Sequence, residues 1–261
     1  MKLAETLEKN KVSAVWLRVI SFALLLTVWW ISALIVGGGM GGIESRVLPS
    51  PDKVAIVFYE NIVDGTLISD LLITLWRVFA AFTIAMVAGT AIGIFMGLRK
   101  RLDILLDGWL ILFLNIPALV TIILCYVWFG MTEVAAIVAV ALNKFPNVIV
   151  TLREGTRAVD QDILQVAEVF RVGHRKTFFK FFLPQLYPYI MVAARSGIAL
   201  IWKIVLVVEL LGRSNGVGFK IHEFFQFFDI KSILAYTIAF VIVMIVIEIF
   251  FFKPLDNYAR R

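Results

Sequence analysis

The sequence predicts an all-helical integral membrane protein, and three observations lead to this fold class. Hydrophobic residues make up 61% of the 261-residue chain, whereas soluble domains typically contain about 45 to 50%. The mean hydropathy is +0.93. The apolar residues form runs of roughly 20, the length that a helix needs to cross a bilayer while satisfying its own backbone hydrogen bonds. With Cys125 as the single cysteine, an intrachain disulfide is excluded.

Six apolar runs are predicted to span the membrane. In chain order they cover residues 14–36, 67–97, 104–128, 134–151, 187–211 and 233–252. The first run follows Lys2, Lys9 and Lys11, as the apolar part of a signal peptide would, but it is too long for one and lacks a small-residue cleavage site. We therefore interpret it as a retained first span.

The distribution of basic residues predicts the orientation of the spans. With the amino terminus inside, sixteen basic residues fall in cytoplasmic segments and five fall outside. Positive charge resists translocation, so both termini are predicted to be cytoplasmic. The chain then consists of a cytoplasmic amino-terminal segment (1–13), a six-span domain (14–252) and a cytoplasmic tail (253–261). Within the domain, residues 37–66 would lie outside and residues 152–186 would form a cytoplasmic loop.

The predicted outer segment begins with turns. Residues 37–50 include three successive glycines and end in Leu48-Pro49-Ser50, a composition that indicates irregular backbone. Residues 52–61 are predicted to form a short amphipathic helix after it.

A stripe of small residues lies in the second span. Gly89, Gly93 and Gly97 follow Ala85 at every fourth position, so they share one helix face and let a neighbouring helix approach closely. Packing within one subunit is favoured over a subunit interface, although the spacing fits both.

The longest polar interruption lies between the fourth and fifth spans, at residues 153–184, which we call the polar segment. Asp160 and Asp162 begin a helix pattern there, since acidic residues favour a helix N-terminus. Four apolar residues follow at the spacing of one helix face: Ile163, Val166, Ala167 and Phe170. Gly173 is predicted to stop this helix.

A second short helix with an aromatic stripe is predicted after Gly173. The stripe consists of Phe178, Phe181 and Phe182. Two short amphipathic helices in a loop can bind a soluble partner, or they can lie on anionic lipid. Periodicity alone leaves both interpretations open.

The polar segment resembles the EAA loop of ABC importer permeases. That loop has the form Glu-Ala-Ala, three residues, Gly, nine residues and Ile-x-Leu-Pro. Aligned on its end, the chain reads Gln165-Val166-Ala167, then Arg171 at the glycine position, then Phe181-Phe182-Leu183-Pro184. Ala167, Leu183 and Pro184 match, whereas the acid, the second small residue, the glycine and the isoleucine are replaced.

Other segments between residues 48 and 252 resemble the nitrate, sulfonate, taurine and bicarbonate branch of these permeases, in the same order. They are Leu48-Pro49-Ser50-Pro51, Thr74-Leu75-Trp76-Arg77, Gly89 and Gly93, Trp128-Phe129-Gly130, Pro188-Tyr189-Ile190, Gly197-Ile198-Ala199, Glu209 and Gly216-Val217-Gly218. In the third span Pro117 matches the branch, but the second proline that the branch usually has a few residues later is absent. The sequence alone therefore does not decide whether the helix is kinked here.

The resemblance implies a type I ABC importer permease: a homodimer of six-span subunits in the inner membrane of a bacterium, with both termini cytoplasmic. It implies two ATP-binding subunits docked on the polar segment and an extracytoplasmic binding protein that delivers a small anion. ATP and Mg²⁺ would bind to the partner, so this chain would carry no cofactor and no enzyme activity. The coupling residues would be Ile163, Gln165, Val166, Ala167, Phe170, Arg171, Gly173, Leu183 and Pro184.

Polar side chains inside the spans are candidates for the solute pathway, because ionisable groups are unfavourable in a membrane. The predicted pathway residues are Asn115, Trp202, Lys203 and Glu209. Lys203 would meet an anion in transit, or else snorkel or pair with a carboxylate on another helix. Lys203 and Glu209 are six residues apart on one helix, so they are not expected to pair directly.

Three further charges are expected near the inner ends of their spans. Arg195, Lys144 and Glu248 would reach the membrane surface there by snorkelling.

No catalytic or metal-binding constellation is predicted. A glycine-rich phosphate loop ending in Lys-Ser or Lys-Thr is absent, so the chain is not expected to bind ATP. His174 and His222 are predicted on opposite sides of the membrane and cannot share a metal. Two other functions stay open: a membrane scaffold whose loop binds lipid or a soluble domain, and a proton-coupled carrier with Glu209 and Glu248 as relay groups.

Overall fold

The computed structural model describes residues 2–39, 47–252 and 254 of the chain. These residues contain helices and connecting turns, and no β-strand occurs among them. The chain divides into two compact units. One comprises Met1–Thr66 and Glu223–Ala239, and the larger one comprises Leu67–His222 and Phe240–Arg261.

Short connections join the helices. The helices are α1 (Lys2–Gly39), α2 (Pro51–Val63), α3 (Thr66–Leu98), α4 (Lys100–Asn115), α5 (Ala118–Phe129), α6 (Glu133–Arg157), α7 (Gln161–Val169), α8 (His174–Thr177), α9 (Leu183–Gly212), α10 (Val217–Gln226) and α11 (Ile230–Ile247). Two π-helical turns, Phe178–Phe182 and Glu248–Phe252, precede α9 and follow α11.

Five helical segments are long and apolar enough to cross a membrane. They are Val19–Val36, Thr66–Leu98, Glu133–Arg157, His174–Gly212 and Ile230–Phe250. These segments correspond to the first, second, fourth, fifth and sixth predicted spans. The third predicted span is the pair α4 and α5, which is bent by 97°, so the described helices supply six spans if this pair counts as one.

The bend between α4 and α5 has a local cause. Ile116 has φ −71° and ψ 123°, the extended conformation that a residue before proline favours. Pro117 has no N–H to donate, so it does not continue the hydrogen-bond pattern of α4. The chain is therefore kinked at this point. Pro117 produces the kink without the second proline that the branch usually has.

Helix α1 is longer than the first predicted span. It begins at Lys2 and continues through the three successive glycines to Gly39, where the sequence predicted turns. Residues 40–46 of that predicted stretch lie outside the described residues. The short helix predicted at residues 52–61 is present as α2, which has Pro51 in its first turn, a position that proline favours.

The small-residue stripe of α3 faces α6 in the same chain. A β-carbon built on Gly93 would lie 2.8 Å from the carbonyl oxygen of Ile149, and one built on Gly97 would lie 2.5 Å from Cβ of Thr156. Real β-carbons do not approach other atoms this closely, so the absent side chains allow the two helices to touch.

We expect Gly93→Val to lower the free energy of unfolding by about 1 to 3 kcal/mol, because the nearest atom is a backbone oxygen that cannot rotate away. Gly108→Ala is the matched control, since a β-carbon on Gly108 would meet nothing within 4 Å. That control is expected to be neutral or slightly stabilising. Thermal unfolding in detergent checks both variants, and equal midpoints would contradict the packing of the stripe.

One hydrophobic core cluster of the larger unit joins α6 to α9. Its buried residues are Val148, Leu152, Val159, Phe182, Leu186 and Ala193. Leu164 of α7 packs against this cluster. The core therefore anchors α7, and with it the polar segment, to two of the long helices.

Candidate functional site

Hydrogen bonds tie the start of α7 to the start of α9. The carboxylate of Asp160 accepts a hydrogen bond from the N–H of Asp162 (2.9 Å) and so caps α7, as the acidic residues predicted. The N–H of Asp160 donates to Oε1 of Gln185 (2.9 Å). Nε2 of Gln185 donates in turn to the carbonyl of Phe181 (2.9 Å).

The apolar stripe predicted for α7 is divided between two faces. Ala167 is 1% exposed and is turned toward the protein interior. By contrast, Ile163, Val166 and Phe170 are 40%, 53% and 76% exposed, and Val169 is exposed beside them. We call these four residues the α7 apolar face. Ala167 is thus a packing residue, and the surface available to a partner consists of the four larger side chains.

Helix α7 ends in a left-handed turn at Arg171. This residue has φ +50°, a conformation that glycine adopts without steric penalty. Its N–H donates to the carbonyl of Glu168 (2.8 Å), and the N–H of Val172 donates to the carbonyl of Ala167 (2.9 Å), which together make a Schellman motif. The EAA pattern has glycine at this position, and this chain adopts the left-handed conformation there with arginine. Gly173, predicted as the helix stop, has φ −59° and precedes α8.

We expect Arg171→Gly to raise the free energy of unfolding by about 1 kcal/mol, because glycine removes the steric penalty of the left-handed conformation. The greater freedom of glycine in the unfolded chain offsets part of the gain. Thermal unfolding in detergent measures the effect. Gly173→Ala is the control, since its φ of −59° suits alanine; a lower midpoint for Arg171→Gly than for the unmodified chain would contradict the account of this turn.

The second amphipathic helix predicted for the polar segment is not separate from the fifth span. Helix α8, the π-helical turn and α9 form one continuous segment, His174–Gly212, of 39 residues. Phe178 stacks on buried Phe182, with ring centroids 5.5 Å apart. Leu183 and Pro184 lie in the first turn of α9. The polar segment therefore passes into the long helix without a break.

Ion pairs join α4 to the carboxyl end of α6. Nη1 of Arg153 lies 2.6 Å from Oδ1 of Asp107, and Arg157 pairs with Asp103 and Glu154. Two basic residues of the predicted cytoplasmic loop are thus engaged within the chain itself.

A second candidate site is buried in the larger unit, around Arg77 of α3. Its Nε and Nη2 donate to the carboxylate of Glu133 (2.7 and 3.0 Å). Its Nη1 donates to Oε1 of Glu209 (2.7 Å), and Nη1 and Nη2 donate to the main-chain and side-chain oxygens of Asn215 (2.9 and 2.5 Å). The side chains of Arg77 and Glu209 are 1% and 0% exposed. All five N–H groups of the guanidinium have acceptors, as a buried cation requires.

The same buried network binds the turn between α9 and α10. The N–H groups of residues 216–218 donate in order to Asp70 Oδ1, Thr74 Oγ1 and Glu209 Oε2 (3.1, 3.0 and 2.8 Å). Gly216 has φ +98°, and a β-carbon on it would lie 2.5 Å from Glu209 Oε1. Glycine is therefore needed here both for the backbone conformation and for the close approach of the carboxylate.

From the sequence, Glu209 was identified as a charge within a span and Arg77 as part of the Thr74-Leu75-Trp76-Arg77 segment, but the two were not paired. They come from different helices and are 132 positions apart in the sequence. Their opposite charges were the feature of the sequence that could have indicated the pairing. Glu209 is fully buried in this network, and its predicted place in a solute pathway stays a prediction.

The other predicted pathway residues have different environments. Asn115 is exposed, and its Nδ2 donates to the carbonyl of Ile111 in its own helix (2.7 Å). Trp202 is buried and stacks on Phe240, with ring centroids 4.1 Å apart. Lys203 is exposed on α9. Their role in transport stays a prediction.

The sequence predicted that Arg195 and Glu248 each extend to the membrane surface, but in the structure the two side chains pair with each other. Nη2 of Arg195 donates to Oε1 of Glu248 (2.5 Å). The ion pair links α9 to the π-helical turn after α11.

Known proteins with related sequences identify the family. Residues 85–261 match the family described as "Binding-protein-dependent transport system inner membrane component". The chain belongs to this family. It is therefore a permease component of an ABC importer, and its long apolar helices are those of a multi-pass protein of the inner membrane.

Several relatives of the permease have named solutes. A Bacillus subtilis (strain 168) protein, provisionally named the aliphatic sulfonates transport permease protein SsuC, is 32% identical over 221 residues, which are 85% of this chain and 78% of the relative. The taurine transport system permease protein TauC of Escherichia coli (strain K12) is 27% identical and covers 88% of this chain and 83% of its own. The bicarbonate transport system permease protein CmpB of Synechococcus elongatus is 30% identical over 59% of this chain and 55% of its own.

A solved structure supports the fold of the permease. A chain of an amino acid ABC transporter crystallised with histidines superposes with a TM-score of 0.60. The alignment covers 81% of the permease and 99% of that chain, at 23% sequence identity. The chain thus shares its fold with a chain of this ABC transporter.

Proposed function

We propose that the permease imports a small anionic solute into a bacterial cytoplasm, driven by ATP hydrolysis on partner subunits. The observation that carries the proposal is the family match over residues 85–261, which includes the whole polar segment. The relatives named above act on aliphatic sulfonates, taurine or bicarbonate, and each of these solutes carries an anionic oxygen group.

The proposed assembly contains two copies of the chain, two ATP-binding subunits and an extracytoplasmic binding protein. Each copy contributes six spans, with α4 and α5 together forming the third, and both termini lie in the cytoplasm. This orientation places the polar segment on the cytoplasmic side, in accordance with the excess of basic residues there. ATP and Mg²⁺ bind to the partner subunits, and this chain supplies the pathway.

The α7 apolar face is the proposed contact with the ATP-binding subunit. A short amphipathic helix that lays an apolar face into a groove is a common mode of protein recognition. Ile163, Val166 and Phe170 are exposed, whereas Leu164 and Ala167 hold the helix to its own chain. Because one face of α7 is exposed and the other is packed against its own chain, α7 can bind the partner and transmit the partner's movement to the permease.

The movement would travel along α9. The continuous segment His174–Gly212 has 39 residues, which corresponds to about 58 Å at the rise of an α-helix. Its first turns lie beside α7, and its last turn carries Glu209 of the buried network. Closure of the ATP-binding subunits would thus shift α7 and α9 together, as rigid elements do in two-state transitions.

Reconstitution tests the proposal. Proteoliposomes that contain the permease with its ATP-binding subunit and binding protein are expected to accumulate radiolabelled taurine, an aliphatic sulfonate or bicarbonate when ATP is supplied. Uptake driven by a proton gradient through the permease alone would instead indicate a secondary carrier. Absence of uptake of all three anions under both conditions would overturn the proposed function.

A further inference from the structure

Lys144 occupies the middle of α6 and is buried. It lies 11 residues after Glu133 and 13 before Arg157, the two ends of the helix. The sequence predicted that it lies near the inner end of the fourth span, and α6 continues six residues beyond the predicted boundary, to Arg157. Its exposed fraction is 3%, so the amine cannot reach the surface of the membrane by snorkelling.

The amine of Lys144 lacks a carboxylate partner among the described residues. Its Nζ donates to Oγ of Ser196 on α9 (3.2 Å), and this hydroxyl donates to the carbonyl of Ala193 (3.2 Å). No other hydrogen bond and no ion pair of Lys144 occurs within the described ranges. By contrast, buried Arg77 binds two carboxylates.

The surroundings fit the lysine closely. A β-carbon on Gly197 would lie 3.1 Å from Cε of Lys144 and 3.4 Å from the ring of Phe82. Since Gly197 has no side chain, the lysine stem can pass between α3 and α9. The space beside Gly197 thus accommodates a lysine side chain, although no carboxylate among the described residues pairs with its amine.

A buried charge without a counterion is unfavourable in a membrane protein, and such residues mark ion or substrate sites. In an importer of anions, the solute itself can supply the missing negative charge. The face of α9 that carries Ser196 also carries Lys203, seven residues later, so the two side chains lie about 10 Å apart along the helix. Lys203 therefore lies on the same face of α9 as Ser196, the residue to which the amine of Lys144 donates.

We propose that Lys144 is the residue that binds the transported anion midway across the membrane, with Ser196 as a positioning residue that orients its amine. The inference rests on the proposed function, because it requires an anionic solute. In the conformation described here α6 and α9 enclose the amine, and their separation during transport would admit the anion. Lys203 would bind the anion at the next position along α9.

Lys144→Met tests this assignment in the reconstituted importer, with the ATP-binding subunit and the binding protein present. We expect unchanged insertion into the membrane, together with a loss of taurine, sulfonate or bicarbonate uptake of about tenfold or more. Lys100→Met is the matched control, since Lys100 is exposed at the start of α4, outside the polar segment, and this variant should import normally. Wild-type uptake with an unchanged KM and rate in Lys144→Met would overturn the role of Lys144.

Two further variants keep the assignment testable if Lys144→Met does not accumulate. Lys144→Arg retains the charge but displaces it, so uptake should persist with a KM raised about threefold or more. Ser196→Ala should raise KM with little change in maximal rate. Unchanged KM values in both variants would overturn the proposal. Failure of the unmodified permease to import any of the three anions would instead overturn the proposed function on which it rests.

Discussion

Replacing Arg77 with methionine is expected to lower the free energy of unfolding by about 3 to 5 kcal/mol, since it leaves the carboxylate of Glu209 buried without its cation. The same substitution removes the donors to Glu133 and to both oxygens of Asn215. We therefore expect the turn between α9 and α10 to lose its attachment to α3. Thermal unfolding in detergent and limited proteolysis measure the two effects.

A double variant distinguishes the loss of stability caused by missing Arg77 contacts from the loss caused by an unpaired Glu209 carboxylate. Arg77→Met combined with Glu209→Met removes both buried charges, and exchange of a buried ion pair for apolar residues is often close to neutral. The double variant should thus recover much of the stability that Arg77→Met loses. Arg157→Met is the control: this half-exposed arginine pairs with Asp103 and Glu154, and its loss should change stability by about 0 to 1 kcal/mol. Similar midpoints for Arg77→Met and Arg157→Met would contradict the account of the buried network.

The second large effect is expected from Val166→Asp on the α7 apolar face. The substitution should leave the thermal midpoint nearly unchanged, because Val166 is exposed. It should abolish co-purification of the ATP-binding subunit and ATP-dependent uptake, because it puts a charge into an apolar contact. Affinity purification from membranes and uptake into proteoliposomes measure these outcomes.

Two neighbouring substitutions control for charge and for burial. Gln165→Glu adds a negative charge one residue away, at the position where the EAA pattern has an acid, and should keep the subunit bound. Ala167→Asp places the charge in the protein interior, so it should lower the thermal midpoint as well as docking. Normal co-purification of Val166→Asp would contradict the proposed contact.

Local features of the sequence predicted much of the fold. Apolar runs of helix length located five of the span helices, and Asp160 correctly marked the start of α7. These features depend on residues close together in the chain, where periodicity and capping act directly. The third span was harder, because Pro117 indicates a break but does not determine a bend of 97°.

The features that the sequence did not reveal depend on tertiary contacts. Periodicity placed Ala167 and Val166 on one stripe, but α7 packs through Leu164 against a core cluster of α6 and α9, and only Ala167 of the two is buried. The pairing of Arg77 with Glu209 requires helices distant in sequence to meet. Arg171 stands where the EAA pattern has glycine, and its backbone has a positive φ, the conformation that glycine adopts most readily.

Cross-linking of α7 to the ATP-binding subunit tests most directly the claim that ATP hydrolysis is coupled to this permease through the polar segment. Cys125 is the single cysteine, so Cys125→Ser provides a background in which Val166→Cys supplies one thiol. In membranes that contain the complex, a maleimide that carries a benzophenone should label this thiol and, on illumination, insert into a C–H bond of the ATP-binding subunit in contact with it. Val63→Cys, on the exposed side of α2 and predicted outside the cell, should form no such product. Failure of Val166→Cys to cross-link, or equal cross-linking at Val63→Cys, would contradict the account.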